Sequence, residues 1–411
     1  MTTTTGHHEP PVVTGLGVAA PNGLGTAAWW RAVRRGESGI RTLTRFAPDR
    51  YPARLAGEVP DFDPARHISS RLLPQTDHMT RLALTAAAEA FADADVDPAA
   101  LDDYAAGVVT ASSAGGFEFG QRELQALWSR GGRYVSAYQS FAWFYAVNTG
   151  QISIRHGLRG PSGVLVTEQA GGLDAVAQAR RQLRKNVRLL VTGGMDSSLC
   201  PWGWAAHLAG GQLSPVADPA RAYLPFSAEA TGHVVGEGGA LLILEDAAAA
   251  RARGARGYGT VAGYAATFDP PPGHGGAPRL ADAAELALAE AGARPSDVNL
   301  VFADAAGRRA ADVAEAEAIA RVFGPRGVPV TAPKTMTGRL AAGGAPLDLA
   351  AALLALRDQL IPPTVNVTRP AADCPVDLVT GDARPAELRT VLVLARGRGG
   401  HNSAMVVRAP G

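Results

Sequence analysis

The stretch VLVTEQAGGLDA, residues 164 to 175, decides the fold of this chain. Its first four residues favour a buried strand, and the glycine pair with the following LDAVAQARRQLRK favours a helix. Glu168, Gln169 and Ala170 therefore lie on the turn between strand and helix. In α/β proteins such a turn exposes a nucleophile beside the N–H groups and positive dipole end of the helix. Here the turn carries Gln169, whose amide has no ionisable proton and cannot hold an acyl group as an ester or thioester.

Length and composition indicate a large protein of balanced charge. A chain of 411 residues exceeds the size at which one core usually stops growing, so two domains or two fused halves are expected. The net charge of +1 argues against nucleic acid or a membrane surface as a partner. Two cysteines cannot form a disulfide framework, and we find neither a signal-peptide pattern nor a membrane-spanning run, so we expect a cytoplasmic protein.

Strand and helix patterns alternate along the chain, and the alternation starts again from Gly259. Such a pattern predicts an α/β fold of two pseudo-repeated halves, with parallel-rich sheets that carry helices on their faces. We place a polar tail at residues 1–10, an N-terminal half at 11–257 and a C-terminal half at 258–411.

Two other ligand sites suggest themselves near the start of the chain, and both are disfavoured. The pair His7 and His8 could bind a metal, but no further ligands follow at a suitable spacing. GLGVAAPNG, residues 15 to 23, follows a strand and precedes a helix, as a dinucleotide-binding turn would. It lacks the GxGxxG order and places Pro21 in the loop, so we predict neither a metal nor a nucleotide cofactor.

Aromatic residues concentrate between Gln139 and Gly150, in QSFAWFYAVNTG. Core packing explains such a cluster, but a cluster at a loop or helix start also lines pockets and partner interfaces. We favour an interface.

Four segments together resemble the β-ketoacyl synthases of thiolase fold. Within that family the chain resembles the chain-length factors, which are the non-condensing partner subunits of bacterial type II polyketide synthases. In the elbow VTEQAGGLDA, Gln169 stands where a condensing subunit has its cysteine. Asp304 of FADAAG and Arg339 of PKTMTGRLAAGGA stand where it has its two histidines. The likeness runs from Val12 to Val407.

Other positions of the same motifs are kept. PKTMTGR retains Lys334 and Gly338, and the terminal loop RGRGGHN has Arg396 and Arg398 in place of two phenylalanines. That loop also retains Gly397, Gly399, Gly400 and Asn402. The resemblance implies that the retained residues Lys334, Gly399, Gly400 and Asn402 support the site.

The resemblance implies a layered αβαβα fold and a division of labour between two subunits. In the family, the cysteine takes the growing acyl chain and the histidines stabilise the oxyanion and the enolate formed on decarboxylation. This chain has none of the three, so the resemblance implies that a condensing subunit supplies them in a heterodimer. An acyl carrier protein would bring malonyl units on its phosphopantetheine arm.

The resemblance further implies that this subunit limits product length by blocking a shared tunnel. Side chains at Ser112, Phe117, Phe119 and Trp202 are the candidate gate. Each phenylalanine could equally be an ordinary core residue. If the segment is extended, Phe117 and Phe119 lie on one side of it, because alternate residues of a strand share a face.

Two hypotheses concern the substituted residues. Asp304 and Arg339 would face each other as an opposite-charge pair that closes an inert site. Gln169 either fills the vacated pocket, which we favour, or donates a hydrogen bond to a malonyl thioester and so helps it to lose CO₂ as a starter unit.

Two other functions stay open at this point. The chain could be a self-sufficient acyltransferase or malonyl-carrier decarboxylase with an unrecognised nucleophile, and it would then turn over substrate alone. It could also be a pure scaffold for the condensing subunit, in which case changes at Phe117, Phe119 or Trp202 would leave product length untouched.

Overall fold

The computed structural model describes residues 9–185, 187–271 and 273–410. His7 and His8, and with them the metal hypothesis, lie outside these residues. The strands are β1 (Val12–Ala20), β2 (Gly23–Leu24), β3 (Ile40–Thr42), β4 (Leu55–Gly57), β5 (Ala106–Ala111), β6 (Ser162–Leu165), β7 (Leu189–Asp196), β8 (Val235–Gly236), β9 (Gly238–Glu245), β10 (Gly259–Phe268), β11 (Leu300–Phe302), β12 (Pro329–Thr331), β13 (Leu360–Ile361), β14 (Asp377–Leu378), β15 (Arg384–Pro385), β16 (Thr390–Arg396) and β17 (His401–Arg408). The helices are α1 (Thr26–Arg34), α2 (His78–Asp93), α3 (Phe117–Arg130), α4 (Gln139–Ala142), α5 (Val147–His156), α6 (Gly171–Leu183), α7 (Pro201–Ala209), α8 (Ala247–Ala252), α9 (Leu280–Glu290), α10 (Arg309–Phe323) and α11 (Gly344–Asp358).

The strand order repeats between the two halves of the chain. In the first half the neighbouring strands are β1, β9, β7, β5 and β6, and in the second they are β10, β17, β16, β11 and β12. In each half the first two pairings are antiparallel and the next two are parallel. A short antiparallel pairing of β1 with β10 joins the halves into one mixed sheet.

Three hydrophobic clusters divide the molecule into layers. Helices α6 and α11 lie in the central cluster, between the inner faces of the two half-sheets. Helix α2 covers the outer face of the first half, and helices α9 and α10 cover that of the second. The predicted layered αβαβα arrangement of two pseudo-repeated halves is therefore confirmed, while the boundary between residues 257 and 258 stays a prediction.

The central layer depends on small residues where its two helices meet. Helix α11 is buried almost all round, as an alanine- and leucine-rich helix between two sheets should be. A Cβ on Gly172 of helix α6 would lie 2.1 Å from the ring of Pro346 in helix α11. Glycine at residue 172 therefore permits the close approach that positions the elbow.

Two predictions about local structure are wrong. Strand β6 is not buried: it is an edge strand of the sheet and is partly exposed along its length. Phe117 and Phe119 do not share a side of an extended segment, because both lie in helix α3. At about 100° per residue, two positions apart in a helix point to nearly opposite sides. Phe119 is buried and Phe117 is partly exposed.

Candidate pseudo-active site

The elbow has the predicted order of strand, tight turn and helix. After strand β6, a 3-10 turn at Glu168–Ala170 leads directly into helix α6. Glu168 adopts a left-handed backbone conformation with φ of 52°, and Gln169 is buried immediately ahead of the helix N-terminus. The backbone thus has the geometry that presents a nucleophile in other α/β proteins. The residue presented here is Gln169, whose side chain is an amide.

Every polar atom of the Gln169 side chain is engaged. In the amide orientation that its neighbours dictate, the nitrogen donates to the carbonyl oxygen of Ala341 at 3.0 Å. The amide oxygen accepts from the Ala341 N–H at 3.3 Å and from Nε of Arg339 at 3.2 Å. A Cβ on Gly344 would lie 2.5 Å from this amide, so the side chain fills the space against helix α11. These contacts hold the Gln169 side chain in place, and its filling role stays a prediction.

Asp304 and Arg339 form the buried ion pair that the substituted motifs predict. The guanidinium donates to both carboxylate oxygens, with Nη1 3.1 Å from Oδ2 and Nη2 3.0 Å from Oδ1. Arg339 also donates to the backbone carbonyl of Asp304 at 2.7 Å. The two residues are 2% and 8% exposed, so each charge depends on the other for compensation.

The electrostatics fix Asp304 as an anion. Burial acts to raise the pKa of Asp304, but the charges of Arg339 and Lys334 outweigh it and hold that pKa below its ordinary value. Burial, followed by the charge of Asp304, raises the pKa of the neighbouring Glu315. Lys334 pairs with Asp348 at 2.6 Å. A fixed negative charge at residue 304 would repel a developing enolate, the opposite of what condensation requires.

The terminal loop, residues 396 to 402, connects the second half of the chain to the elbow through a hydrogen bond. Gly399 and Gly400 have φ of 81° and 98°, which only glycine adopts without strain. The side-chain amide of Asn402 donates to Asp269 at 2.7 Å and steadies the turn. From this loop, the Arg398 N–H donates to the carboxylate of Glu168 at 2.9 Å.

The same loop also contacts the ion pair. The backbone N–H of Arg396 donates to Oδ1 of Asp304 at 3.0 Å. Its guanidinium donates to the carbonyl oxygen of Ala311 at 3.1 Å. The loop thus contacts the ion pair as well as the elbow.

Among the candidate gate residues, Phe117 and Trp202 lie together. Their rings stack with centroids 4.5 Å apart and planes 25° apart. Phe117 opens helix α3, while Trp202 is near the start of helix α7 and is 43% exposed. Phe117 also lines a cavity of about 380 Å³ that reaches Gln169 and Arg339.

Ser112 and Phe119 are placed differently, because neither is among the residues that line this cavity. The Ser112 hydroxyl is buried and donates to Asp196 at 3.0 Å. Phe119 is buried under the guanidinium of Arg122, which lies 4.6 Å from the ring centroid. Both residues therefore have structural contacts that account for their positions.

Several residues that line the cavities were not anticipated. The cavity of about 380 Å³ also contains Ser113, Ser198, His207 and His233. A second cavity of about 660 Å³ shares Arg339, Arg398 and other residues with it, so the two adjoin. No sequence motif links these residues, because they come from loops and helices far apart in the chain. The second cavity is rich in arginine: Arg308, Arg309, Arg339, Arg396 and Arg398.

Cys200 does not replace the missing nucleophile. It is the residue before helix α7 and is buried. Burial raises the pKa of its thiol, which therefore stays protonated at neutral pH. Among residues 9–185, 187–271 and 273–410, no cluster of histidine, cysteine and acidic side chains could hold a metal ion.

Two features of the molecule are typical of a protein interface. Strand β6 leaves an exposed sheet edge, and Val166 just beyond it is 48% exposed. In the aromatic segment, Trp143, Phe144 and Tyr145 are 42%, 45% and 36% exposed.

In the part of the chain that the structure describes, no helix is both long enough and apolar enough to cross a membrane.

Comparison with known proteins identifies the family. The profile for the N-terminal domain of β-ketoacyl synthases matches residues 8–250, and that for the C-terminal domain matches residues 258–368. The chain is 59% identical to the tetracenomycin polyketide synthase ketoacyl synthase beta subunit of Streptomyces glaucescens, over 98% of this chain and 99% of that protein. It is 58% identical to the actinorhodin polyketide beta-ketoacyl synthase 2 of Streptomyces coelicolor, over 97% of this chain and 98% of that protein.

Similar solved structures also belong to ketosynthases. The ishigamide ketosynthase/chain length factor superposes with a TM-score of 0.90 at 27% identity, over 98% of this chain and all of that one. A ketosynthase solved with its type II acyl-carrier protein, AntDE:AntF, superposes with a TM-score of 0.87 at 28% identity and the same coverage. The predicted thiolase-like fold is thereby confirmed, and the chain belongs to the β-ketoacyl synthase family, among relatives named as beta subunits of type II polyketide synthases.

Proposed function

We propose that this chain is the non-condensing, chain-length-determining subunit of a type II polyketide ketosynthase heterodimer. A condensing subunit supplies the nucleophile for iterative decarboxylative condensation, and this chain shapes the tunnel that encloses the growing poly-β-ketone. A carrier protein delivers malonyl units on its phosphopantetheine arm, while this chain binds no metal or nucleotide of its own. The proposed compartment is the cytoplasm.

The buried amide of Gln169 is the observation that carries this proposal. It occupies the tip of the elbow, and hydrogen bonds to Ala341 and Arg339 hold it there. Asp304 and Arg339, which form a buried ion pair, stand by resemblance at the positions of the family's two histidines. Condensation needs a nucleophile and groups that stabilise an enolate, and this site offers an inert amide and a fixed carboxylate.

A partner subunit fits the exposed edge of the sheet. Natural proteins seldom leave a sheet edge or several neighbouring aromatic rings uncovered, because both features promote association. Strand β6 directly precedes the elbow, so a partner bound there would lie close to Gln169. Relatives named as ketosynthase beta subunits, and a solved ketosynthase/chain length factor, make a condensing ketosynthase the partner that we propose.

Phe117 and Trp202 are the proposed gate. Their stacked rings present a flat apolar barrier, and Phe117 borders the cavity next to the elbow. Forcing an extra ketide unit past packed rings costs about 1–3 kcal/mol, which is enough to favour release at a particular length.

Product length tests this function. The chain is purified with a condensing subunit, supplied with malonyl-carrier protein, and its products are measured by mass spectrometry for the wild type, Phe117→Ala and Trp202→Ala. Removal of either ring should shift products to longer chains. Phe119→Leu is the matched control, because that ring lies in the core and its loss should leave the length unchanged. Unchanged lengths for both gate variants would instead indicate a pure scaffold.

A further inference from the structure

Ser198 and His207 form a nucleophile–base pair that the pseudo-active site does not use. The hydroxyl oxygen of Ser198 lies 2.7 Å from Nε2 of His207. Ser198 follows strand β7, and His207 lies near the end of helix α7. Both residues line the cavity of about 380 Å³ that contains Gln169.

The imidazole is uncharged at neutral pH, so its Nε2 is free to accept a proton. Burial, and then the charge of Arg398, lower the pKa of His207 to about 4. At neutral pH the ring is therefore uncharged, and with its proton on Nδ1 it accepts the Ser198 hydroxyl hydrogen at Nε2. A serine hydrogen-bonded to a neutral histidine is a common way to activate a hydroxyl for acyl transfer.

Arg398 adds a positive charge to the same cavity. Its guanidinium lies against the end of helix α7, where a Cβ on Gly210 would be 2.5 Å from Nη2. Within the described residues, no carboxylate pairs with its side chain, since its single recorded hydrogen bond is made by the backbone N–H. The cavity therefore holds a hydroxyl hydrogen-bonded to an imidazole, together with a guanidinium that has no carboxylate partner. This combination suits an acyl group that carries a carboxylate at its far end.

We propose that Ser198 accepts a malonyl group from a thioester, with His207 as the base and Arg398 as the partner of the malonyl carboxylate. Ser198 Oγ attacks the thioester carbonyl carbon, and its proton passes to Nε2 of His207. The carbon–sulfur bond breaks, and His207 returns the proton to the leaving sulfur. The products are a malonyl ester on Ser198 and a free thiol. Attack by another thiol reverses the steps and passes the malonyl group on.

This loading reaction goes beyond the role in product length and makes no carbon–carbon bond. Gln169 remains a filler, and condensation remains with the partner. The two proposals fail independently, because one is read from product length and the other from a covalent adduct on this chain.

Intact-protein mass spectrometry tests the proposal. The complex with the condensing subunit is incubated with malonyl-coenzyme A and quenched in acid, and each chain is weighed separately. This chain should gain the mass of one malonyl group, and peptide mapping should place it on Ser198. Ser198→Ala should abolish the gain. Ser198→Cys, which keeps a nucleophile in place, should be labelled as a thioester.

Two further variants separate the base from the carboxylate partner. His207→Gln should slow labelling by about tenfold or more, a smaller effect than for a base whose pKa lies near neutrality. Arg398→Gln should slow labelling by malonyl-coenzyme A by about tenfold while leaving labelling by acetyl-coenzyme A unchanged, because acetyl has no carboxylate. Ser113→Ala is the matched control, since its buried hydroxyl lines the same cavity without a hydrogen-bond partner.

Three outcomes would overturn the proposal. They are no added mass on this chain, a malonyl group mapped to another residue, and labelling that survives in Ser198→Ala. Loss of labelling in Ser113→Ala equal to that in Ser198→Ala would also count against Ser198 as the nucleophile.

Discussion

Replacing Asp304 with asparagine removes one charge of the buried ion pair with almost no change of shape. In the parent, the carboxylate accepts two hydrogen bonds from Arg339 and one from the backbone N–H of Arg396. The variant keeps the volume but leaves the guanidinium of Arg339 buried without a counter-charge. We expect a large loss of stability, and we expect it to depend on Arg339.

The size of the loss follows from the burial of the pair. Breaking a buried ion pair by removing one partner costs about 3–5 kcal/mol, because the other charge stays desolvated. An unfolding entropy of about 2.1 cal/mol/K per residue, taken over 411 residues, converts this cost to a Tm lowered by about 4–6 °C. Removing both charges in Asp304→Asn with Arg339→Met should recover most of it, since apolar replacements of buried pairs are often neutral.

Differential scanning calorimetry of the purified complex measures the effect. The matched control is Asp373→Asn, which breaks the pair between Arg309 and Asp373 on the surface. That pair is 36% and 53% exposed by side chain, and solvent already screens it, so its loss should leave Tm unchanged.

Two results would refute the reasoning. One is a Tm for Asp304→Asn within about 1 °C of the parent, since the buried charge would then be compensated elsewhere. The other is a double variant that melts as low as the single variant, because the loss would then not come from an unpaired Arg339.

Three more predictions concern the site and its surface. Burial raises the pKa of Asp196 to about 6, so the native state keeps a proton that the unfolded state releases near pH 4. Stability relative to Asp196→Asn should therefore fall by about 3 kcal/mol from pH 4 to pH 6 in denaturation titrations, and a pH-independent difference would contradict this. Gly344→Ala should lower stability by about 1–3 kcal/mol by pressing on the Gln169 amide. Adding Gln169→Ala should relieve this loss in a double-mutant cycle, and additive losses would argue against the contact. Phe144→Glu should reduce recovery of a tagged condensing partner in co-purification while Leu286→Glu, at a somewhat more exposed site on helix α9, should not; equal recovery would place the interface elsewhere.

The elbow and its inert centre could be predicted from the sequence because their signals are local or follow from the family resemblance. The apolar run, the glycine pair and the amphipathic helix place Gln169 on a turn. The opposite charges of Asp304 and Arg339, at positions where two histidines meet in the family, predict their ion pair. The repeated alternation of strands and helices likewise predicts the two halves.

The start of helix α3 could not be predicted, because its stabilising contact comes from a distant part of the chain. The residue before the helix is Gly116, which has no side chain to cap it. The carboxylate of Asp77 instead accepts the Phe119 N–H at 2.7 Å, while it also caps helix α2 through the Met79 N–H at 2.8 Å. With no local cap in the sequence, nothing in FEFG itself indicates the start of a helix.

Burial of strand β6 was wrongly predicted for a related reason. An apolar run normally indicates burial, but this strand ends the sheet, and its outer edge has no partner among the described residues. The pairing of Ser198 with His207 could not be predicted either. The two residues line a cavity together with Arg398, which lies 200 residues further along the chain, and no local pattern indicates that cavity.

The central claim is that this chain makes no carbon–carbon bond and that elongation takes place on its partner. The most direct test supplies malonyl-carrier protein to a complex in which the condensing subunit's cysteine is replaced by alanine, and searches carrier, protein and products for ketide units by mass spectrometry. The account predicts that no diketide or longer chain forms on either subunit. An acyl chain that lengthens on this polypeptide under those conditions would contradict it.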